Sequence, residues 1–182
     1  MKLEVKEAEI NDFERIISYF HTSNNAHFKL MGADKLKLPN PEDWNTILKS
    51  ECKKPNTEKK LYYIIWLLNN QPIGHSNINN INYRKEANMH LHVWEEENRS
   101  KGLGFQFLEK TIPYYFINFK LQKLLCEPNA YNKAPNKTLI KLGFDKIKTY
   151  ETIPGSINFK QDVTRYELTH DRFKEIWGSS GI

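Results

Sequence analysis

A glycine-rich turn, Arg99-Ser100-Lys101-Gly102-Leu103-Gly104, connects a segment typical of a β-strand, Met89 to Trp94, with a helical pattern that starts at about Gly104. A turn between a strand and a helix leaves several backbone N–H groups unpaired, and the helix dipole adds partial positive charge there. Glycines let the backbone approach an anion closely, and Arg99 and Lys101 supply full charges. The turn therefore predicts a phosphate or pyrophosphate site; the alternative is a helix start with solvated cations.

The segments on either side of this turn predict a sheet. Strand patterns joined by short turns precede it, at Leu61 to Leu68, 72–84 and 88–94, and they indicate an antiparallel meander. A helix over about residues 103–119 follows, then a strand within LQKLLCEP. Since strand–helix–strand crossovers join parallel strands, the strands on either side of this helix should be parallel. The predicted fold class is therefore α+β, a central mixed sheet of about six or seven strands flanked by helices.

Further elements are predicted towards both ends of the chain. Asn11 is a candidate N-cap for a helix whose apolar face comprises Phe13, Ile16, Ile17 and Phe20. Asn132 is a candidate N-cap for a short helix that ends at Gly143. Two further strands are expected over 144–150 and 163–168, and they would complete the sheet.

The composition favours a folded intracellular protein. The chain has 182 residues, 39% of them hydrophobic, and is interpreted as one domain over residues 1–182. The net charge of +5 comes from lysines scattered along the chain, so nucleic acid is not expected as a partner. The N-terminus lacks an apolar signal core, the longest apolar run is too short to span a bilayer, and the two distant cysteines are expected to be free thiols. These features predict a cytoplasmic location without a membrane partner.

Two stretches of this sequence resemble the signature of the GNAT superfamily of acyl-CoA-dependent N-acyltransferases. RSKGLG, residues 99–104, matches the family pattern (Arg/Gln)-x-x-Gly-x-(Gly/Ala). CEPNAYNKAPNKTLIKLGF, residues 126–144, is similar to the family's glutamate strand, asparagine and short helix with a Lys-Leu-Gly-Phe ending. The resemblance covers roughly residues 61–168. The helices before the meander and the KLGF ending resemble the branch of ribosomal-protein N-terminal acetyltransferases, of RimJ/RimL type.

The resemblance implies acetyl-CoA as cosubstrate and no metal. The pyrophosphate would lie on the N–H groups of the glycine turn, and the pantetheine arm would pair like an added strand with the exposed edge of the strand before it. An asparagine at the start of the last crossover helix would bind the arm. The residues carried over for cofactor binding are His92, Val93, Trp94, Arg99, Ser100, Lys101, Gly102, Leu103, Gly104, Phe105 and Asn132.

The reaction implied is transfer of an acetyl group to a primary amine, of a protein N-terminus or a small molecule. Glu127 matches the strand position that carries a general base in some family members; the alternative is a carboxylate that pairs with a neighbour at the strand end. Leu139 occupies the helix position where a tyrosine often protonates the leaving thiolate, and Tyr131 and Tyr150 are the substitutes to consider. This departure leaves open a second function, a non-catalytic acyl-CoA-binding or regulatory module with the same fold.

Histidines and one irregular segment complete the candidate groups. His90 and His92 lie two residues apart on a strand and hence on one face, where they can line the substrate cleft, transfer protons or pack beside Trp94. A zinc site is not expected, because further ligands at suitable spacing are missing. Residues 22–38 lie where the family often builds its acceptor mouth. The sequence leaves open the acceptor and the oligomeric state, monomer or homodimer.

Overall fold

The computed structural model describes residues 1–99 and 101–178. Its strands are β1 (Leu3–Glu7), β2 (Leu61–Leu68), β3 (Gln71–Asn82), β4 (Glu86–Val93), β5 (Lys123–Cys126), β6 (Asp145–Thr152) and β7 (Gln161–Thr169). Its helices are α1 (Phe13–Thr22), α2 (Asn25–Leu30), α3 (Pro41–Lys53), α4 (Leu103–Phe119), α5 (Lys133–Lys141) and α6 (His170–Trp177). Within the described ranges, every helix is too short or too polar to cross a bilayer.

The described strands form one seven-stranded sheet in the order β1-β2-β3-β4-β5-β7-β6. The strands β2, β3 and β4 pair antiparallel as the predicted meander, and β1 pairs antiparallel with β2. The strands β4 and β5 are parallel across the helix α4, whereas β7 pairs antiparallel with both β5 and β6. The predicted mixed α+β sheet flanked by helices is therefore confirmed.

The two parallel strands separate soon after they begin to pair. Among the described residues, the register of β4 with β5 ends at Asn88, which lies beside Leu125. The strand β4 nevertheless continues to pair with β3 as far as Val93. The second half of β4 therefore has a backbone edge that faces an opening in the middle of the sheet instead of a neighbouring strand.

Helices cover both faces of the sheet. On one face, α4 packs against β2 and β3: Trp66 stacks on Phe107 with 5.2 Å between ring centroids, and Tyr115 donates a hydrogen bond to Ser76 at 2.8 Å. On the other face, α1 and α3 form a cluster with β2 that includes Phe13, Ile16, Ile17, Phe20, Trp44, Leu48, Tyr63 and Ile65. Because side chains alternate along a strand, His92 of β4 lies on the face that α1 covers.

The helix α4 contains Pro113 in its interior, where a proline can kink a helix. Proline has no N–H group, so the carbonyl of Glu109 one turn earlier loses its helical hydrogen bond. Trp177 of α6 donates its Nε1–H to that carbonyl at 2.9 Å. The last helix thus replaces the missing bond, and α4 begins at Leu103, next to the predicted position.

Two predicted helix caps differ in detail from the structure. Asn11 lies inside a 3-10 turn, Ile10–Asp12, and α1 begins after it. The carboxylate of Asp12 accepts a hydrogen bond from the backbone of Glu9 at 2.9 Å, and a capping box of these two residues caps the 3-10 turn that leads into α1. The N-cap position of α1 is Asp12 and not Asn11. Asn132 precedes α5 as predicted, but within the described part of the chain its side chain makes no capping hydrogen bond.

Candidate functional site

The glycine turn forms the N-terminus of α4. Gly102 is the N-cap residue and has φ +76° and ψ 0°, a left-handed conformation that favours glycine. A Cβ atom at Gly102 would meet none of the described atoms within 4 Å, and one at Gly104 would lie 3.8 Å from Leu91. The glycines therefore keep open the space beside the first N–H groups of α4, which a helix leaves unpaired. Ser100, also predicted to contact the anion, lies outside the described residues.

Arg99 connects the turn to the end of β4. Its Nε atom donates to the carbonyl of Val93 at 3.0 Å, and its Nη2 atom donates to the carbonyl of Trp94 at 2.6 Å. These bonds hold strand and turn together, and the role of Arg99 as an anion ligand stays a prediction. Its charge consequently stays beside the turn, and the exposed Lys101 adds a second positive charge.

A cleft runs from the glycine turn along the unpaired edge of β4. Its cavity volume is about 240 Å³, slightly below the usual size range of small-molecule sites. The lining comes from α1, α2, β4, the turn and α5, and comprises Tyr19, His27, Leu30, Met31, Leu91, His92, Val93, Asn98, Arg99, Gly102, Leu103, Gly104, Phe105, Asn132, Ala134, Pro135 and Thr138. A backbone edge, a helix N-terminus and apolar side chains thus meet in one elongated space.

Most of the predicted cofactor residues meet in this cleft. Those in its lining are His92, Val93, Arg99, Gly102, Leu103, Gly104, Phe105 and Asn132. Lys101 and Trp94 are outside the lining, and Trp94 is buried with its Nε1–H donated to His75 at 2.8 Å. Asn132 lies across the cleft from β4, where its Nδ2 atom donates to the carbonyl of Leu30 at 3.4 Å.

The cleft continues past His92 to the end of β5. This second part shares Met31, Leu91, His92, Asn132 and Pro135 with the first. Its further lining residues are Met89, His90, Cys126, Glu127, Pro128, Asn129, Pro154, Asn158 and Gln161. His92 therefore lies where the two parts of the cleft join, and Glu127 lies in the second part.

Glu127, the predicted general base, already has partners. Its Oε1 atom accepts a hydrogen bond from the hydroxyl of Tyr150 at 2.5 Å and lies 3.6 Å from Nη1 of Arg165. The hydrogen bond to Glu127 raises the pKa of Tyr150 above its ordinary value, with smaller contributions from burial. The alternative stated for Glu127, a carboxylate paired with neighbours at a strand end, describes these contacts, and its role as a base stays a prediction.

The helix α5 provides no hydroxyl at the position usual for a tyrosine. Leu139 is fully buried in the hydrophobic core. Of the two tyrosines considered as substitutes, Tyr131 is 75% exposed and donates to Asp162 at 3.0 Å, whereas Tyr150 binds Glu127. Tyr150 is therefore the one that lies beside the cleft.

A cluster that the sequence did not reveal lies where the two parts of the cleft join. The hydroxyl of Tyr19 in α1 lies 2.7 Å from Nε2 of His27 in α2 and 3.4 Å from Nδ1 of His92 in β4. The ring of His92 packs against that of His75, its cross-strand neighbour, with 4.9 Å between centroids. The one sign of this cluster in the sequence was Tyr19, an aromatic residue with a hydroxyl group next to the apolar face of a predicted helix.

Burial keeps the histidines of this region uncharged at neutral pH. It lowers the pKa of His75 to about 3, and those of His27 and His90 to about 4. The pKa of His92 lies well below its ordinary value, first because of burial and then because His75 is close. Burial likewise raises the pKa of Tyr19, so its hydroxyl keeps its proton.

The segment predicted to form an acceptor mouth closes one side of the second part of the cleft. The carbonyl of Gly32 accepts hydrogen bonds from Nε2 of Gln161 at 2.7 Å, Nδ2 of Asn158 at 2.9 Å and the backbone of Phe159 at 3.3 Å. Gly32 has φ +70°, and a Cβ atom there would lie 1.8 Å from the amide of Gln161. We call this contact between 32–34 and 157–161 the clasp.

In the described ranges no group of three or more histidine, cysteine or acidic side chains is placed to hold a metal ion.

A family model described as an acetyltransferase (GNAT) domain matches residues 2–145 of the chain. Among curated proteins, none matches the chain in sequence. The fold is similar to that of a spermidine N-acetyltransferase from Vibrio cholerae in complex with CoA and spermine, with a TM-score of 0.77, 16% identity, and coverage of 94% of this chain and 97% of that one.

Two ribosomal-protein acetyltransferases have a similar fold. The ribosomal L7/L12 alpha-N-protein acetyltransferase RimL, in complex with coenzyme A, has a TM-score of 0.76 and 14% identity, with coverage of 94% of this chain and 96% of that one. The ribosomal-protein-S5-alanine acetyltransferase from Vibrio fischeri has a TM-score of 0.72 and 19% identity, with coverage of 94% of each chain.

Proposed function

The chain belongs to the GNAT family of acetyltransferases, and from this premise we propose that it transfers the acetyl group of acetyl-CoA to the primary amine of a protein N-terminus or a small molecule. The observation that carries the proposal is the meeting of an unpaired strand edge and a glycine-lined helix N-terminus in one cleft. In this proposal residues 1–182 form one catalytic domain that acts in the cytoplasm.

The cofactor residues are assigned by what each can offer to acetyl-CoA. The N–H groups at Leu103, Gly104 and Phe105 would bind the pyrophosphate, with positive charge from Arg99 and Lys101 nearby. The backbone edge from His92 to Trp94, at the end of β4, would pair with the pantetheine arm, and Asn132 would bind it from the opposite side. Because a Cβ atom at Gly102 would find open space, the turn has room for the anion that this assignment requires.

The chemistry needs an uncharged amine and a stabilised oxyanion. The amine nitrogen forms a bond to the thioester carbon, the C–S bond breaks, and the nitrogen loses a proton. A backbone N–H group on the unpaired edge of β4 is placed to donate to the developing oxyanion. The sequence assigns Glu127 as the base that accepts this proton. The contacts of Glu127 with Tyr150 and Arg165 compete with that role.

A protein N-terminus is the acceptor that the second part of the cleft favours. Among its described lining residues, Glu127 is the one carboxylate, and Arg165 lies 3.6 Å from it. A polyamine carries several positive charges, for which a single paired carboxylate offers little attraction. The RimJ/RimL-like branch is therefore our proposed position within the family.

One observation favours a second candidate function, a non-catalytic acyl-CoA-binding or regulatory module. The buried Leu139 replaces the tyrosine that protonates the leaving thiolate in many relatives. Since a thiol with a pKa near ~8.5 can leave without much assistance, this replacement does not prevent turnover.

Both functions are tested by one screen. The protein and acetyl-CoA are mixed with one amine at a time: a peptide with a free N-terminus, spermidine or an aminoglycoside. Release of the CoA thiol is then measured for each amine. We expect thiol release with peptides, and acetylation at their N-terminal nitrogen by mass spectrometry. Stabilisation of the protein by CoA without thiol release from any amine would support the binding module and contradict acetyl transfer.

A further inference from the structure

We propose that His92, Tyr19 and His27 form a proton relay that accepts the proton of the attacking amine and carries it to the protein surface. The inference rests on the proposed acetyl transfer and names the residues that serve as its base. The three side chains come from β4, α1 and α2, and they converge on the hydroxyl of Tyr19 where the two parts of the cleft join.

The hydrogen bonds of Tyr19 select one tautomer of His92. A hydroxyl has one proton to donate and lone pairs to accept with. We assign the hydroxyl proton of Tyr19 to its shortest contact, with Nε2 of His27 at 2.7 Å, because the contacts with Nδ1 of His92 and Sδ of Met31 are both 3.4 Å. His92 must then donate its Nδ1–H to the hydroxyl oxygen, which leaves a lone pair on Nε2.

The surroundings of His92 keep that lone pair available. The groups that face its ring are Tyr19 and Phe20 of α1, His27 of α2, His75 of β3, His90 of β4 and Arg99. Burial lowers the pKa of His92 well below its ordinary value, and the nearby histidines and Arg99 lower it further. The imidazole is therefore uncharged at neutral pH, and because the same surroundings disfavour the imidazolium, a proton that reaches Nε2 must leave through Nδ1 in the same step.

The relay connects the reaction site with solvent. His92 lines both parts of the cleft, next to the strand edge where the thioester is proposed to lie. His27 is half-buried on a short helix at the surface. A proton that enters at Nε2 of His92 thus has a hydrogen-bonded path to the exterior.

The transfer balances in the following way. As the C–N bond forms and the C–S bond breaks, the amine proton moves to Nε2 of His92. The Nδ1 proton of His92 moves to Tyr19, the hydroxyl proton of Tyr19 moves to Nε2 of His27, and His27 releases its Nδ1 proton to solvent. The CoA thiolate takes one proton from solvent, and the rings return to their starting tautomers by exchange with water.

Glu127 is a less direct acceptor for this proton. Its Oε1 atom already accepts from Tyr150 at 2.5 Å and faces Arg165. Protonation there would break existing contacts, whereas protonation of Nε2 of His92 preserves those of Tyr19.

Turnover of three variants tests the relay. We expect His92→Asn to lower kcat by about 100-fold or more, and Tyr19→Phe by about 10-fold, with the dissociation constant of CoA unchanged. His21→Gln should leave kcat unchanged, because His21 lies on the same helix as Tyr19 but packs against Trp44. In His92→Ala, added imidazole should restore part of the rate, which a merely structural role of His92 would not allow. A kcat of His92→Asn near that of the wild type would overturn the relay.

A measurement without turnover separates this inference from the proposed function. Long-range ¹H–¹⁵N NMR of the CoA-bound protein should show His92 with its proton on Nδ1, and Tyr19→Phe should change that tautomer. A proton on Nε2 in the wild type would overturn the relay whether or not any amine is acetylated. If no amine were acetylated, acetyl transfer and its relay would both be contradicted, and the NMR result would still show whether the hydrogen-bond network exists.

Discussion

The two ends of the cleft are built from different parts of the polypeptide. The cofactor end, which we define as the glycine turn with Val93 and Asn132, uses mainly backbone: helix N–H groups and an unpaired strand edge. The acceptor end, defined as His92, Glu127 and the clasp, uses side chains brought together from distant positions. Gln161 and Gly32, for example, are 129 positions apart. A site made of backbone needs open space and a fixed turn, whereas a site made of side chains needs the whole fold.

The largest effect should follow from filling the space at the cofactor end. Gly104→Trp places an indole where the turn is open, so we expect CoA to bind at least about 100-fold more weakly, a loss of about 2.7 kcal/mol. Isothermal titration with CoA measures this change. Ile117→Trp, at an exposed position of the same helix, should leave the affinity unchanged. Equal affinities of the two variants would break the comparison, because the turn would then not be the binding site.

Buried histidines beside the acceptor end should instead make stability depend on pH. The folded chain holds the pKa of His75 at about 3, below the ordinary value of about 6.5, so the unfolded state binds more protons between these values. The free energy of unfolding should therefore fall as the pH falls below about 6.5, by about 1.4 kcal/mol per pH unit for this fully buried residue. The lowered pKa of His90 acts in the same direction.

Urea unfolding at pH 7.5 and 5.5 measures this dependence. His75→Gln should reduce the difference between the two pH values, since its amide oxygen can accept the hydrogen bond from Trp94 without titrating. Equal stabilities of the wild type at the two values would show that the histidines are not held uncharged.

A smaller effect is expected from opening the clasp. Gln161 is buried, donates to the carbonyls of Gly32 and Phe159, and accepts from Asn129. Gln161→Ala should therefore cost about 1–3 kcal/mol of stability and raise the KM for the acceptor while leaving CoA affinity unchanged. Thermal melting and steady-state kinetics measure these effects, and the exposed Gln122→Ala provides the control. Weaker CoA binding with an unaltered acceptor KM would assign the clasp to the other end of the cleft.

The smallest effect is expected from Glu127→Gln. The amide keeps an acceptor for Tyr150 and, if the relay carries the proton, kcat should fall by less than about 10-fold with an unchanged pH profile. This result would sharpen the comparison by making Glu127 a structural part of the acceptor end. A loss of about 100-fold with a shifted profile would instead restore the base role that the sequence assigned to it.

The sequence was most informative where function depends on backbone. Gly102 and Gly104 between a strand and a helix predicted the turn, and the crossover rule predicted the parallel strands β4 and β5. Neither required knowledge of distant contacts. No local sequence pattern predicted that those strands separate after Asn88. Only the family resemblance implied an exposed edge on the strand before the turn.

Side-chain partners were the part that the sequence could not supply. Nothing near Tyr19 in the sequence indicates that its hydroxyl meets His27 and His92, because that meeting depends on how α1 and α2 lie on the sheet. The partners of Arg99 were hidden in the same way: its charge suggested an anion ligand, and only the fold shows that it donates to the carbonyls of Val93 and Trp94. The alternating pattern did predict that His90 and His92 share a face, since period two is a local property.

An unpaired strand edge ordinarily invites self-association, because another polypeptide can add to it as a further strand. The open edge of β4 lies inside the sheet, and Met31 and Pro135 line the cleft beside it. Since β5 continues the sheet on the far side of this opening, the edge does not lie at the rim of the sheet, where strands of another chain can add. The fold can therefore keep an edge permanently open for catalysis without turning it into a site of aggregation.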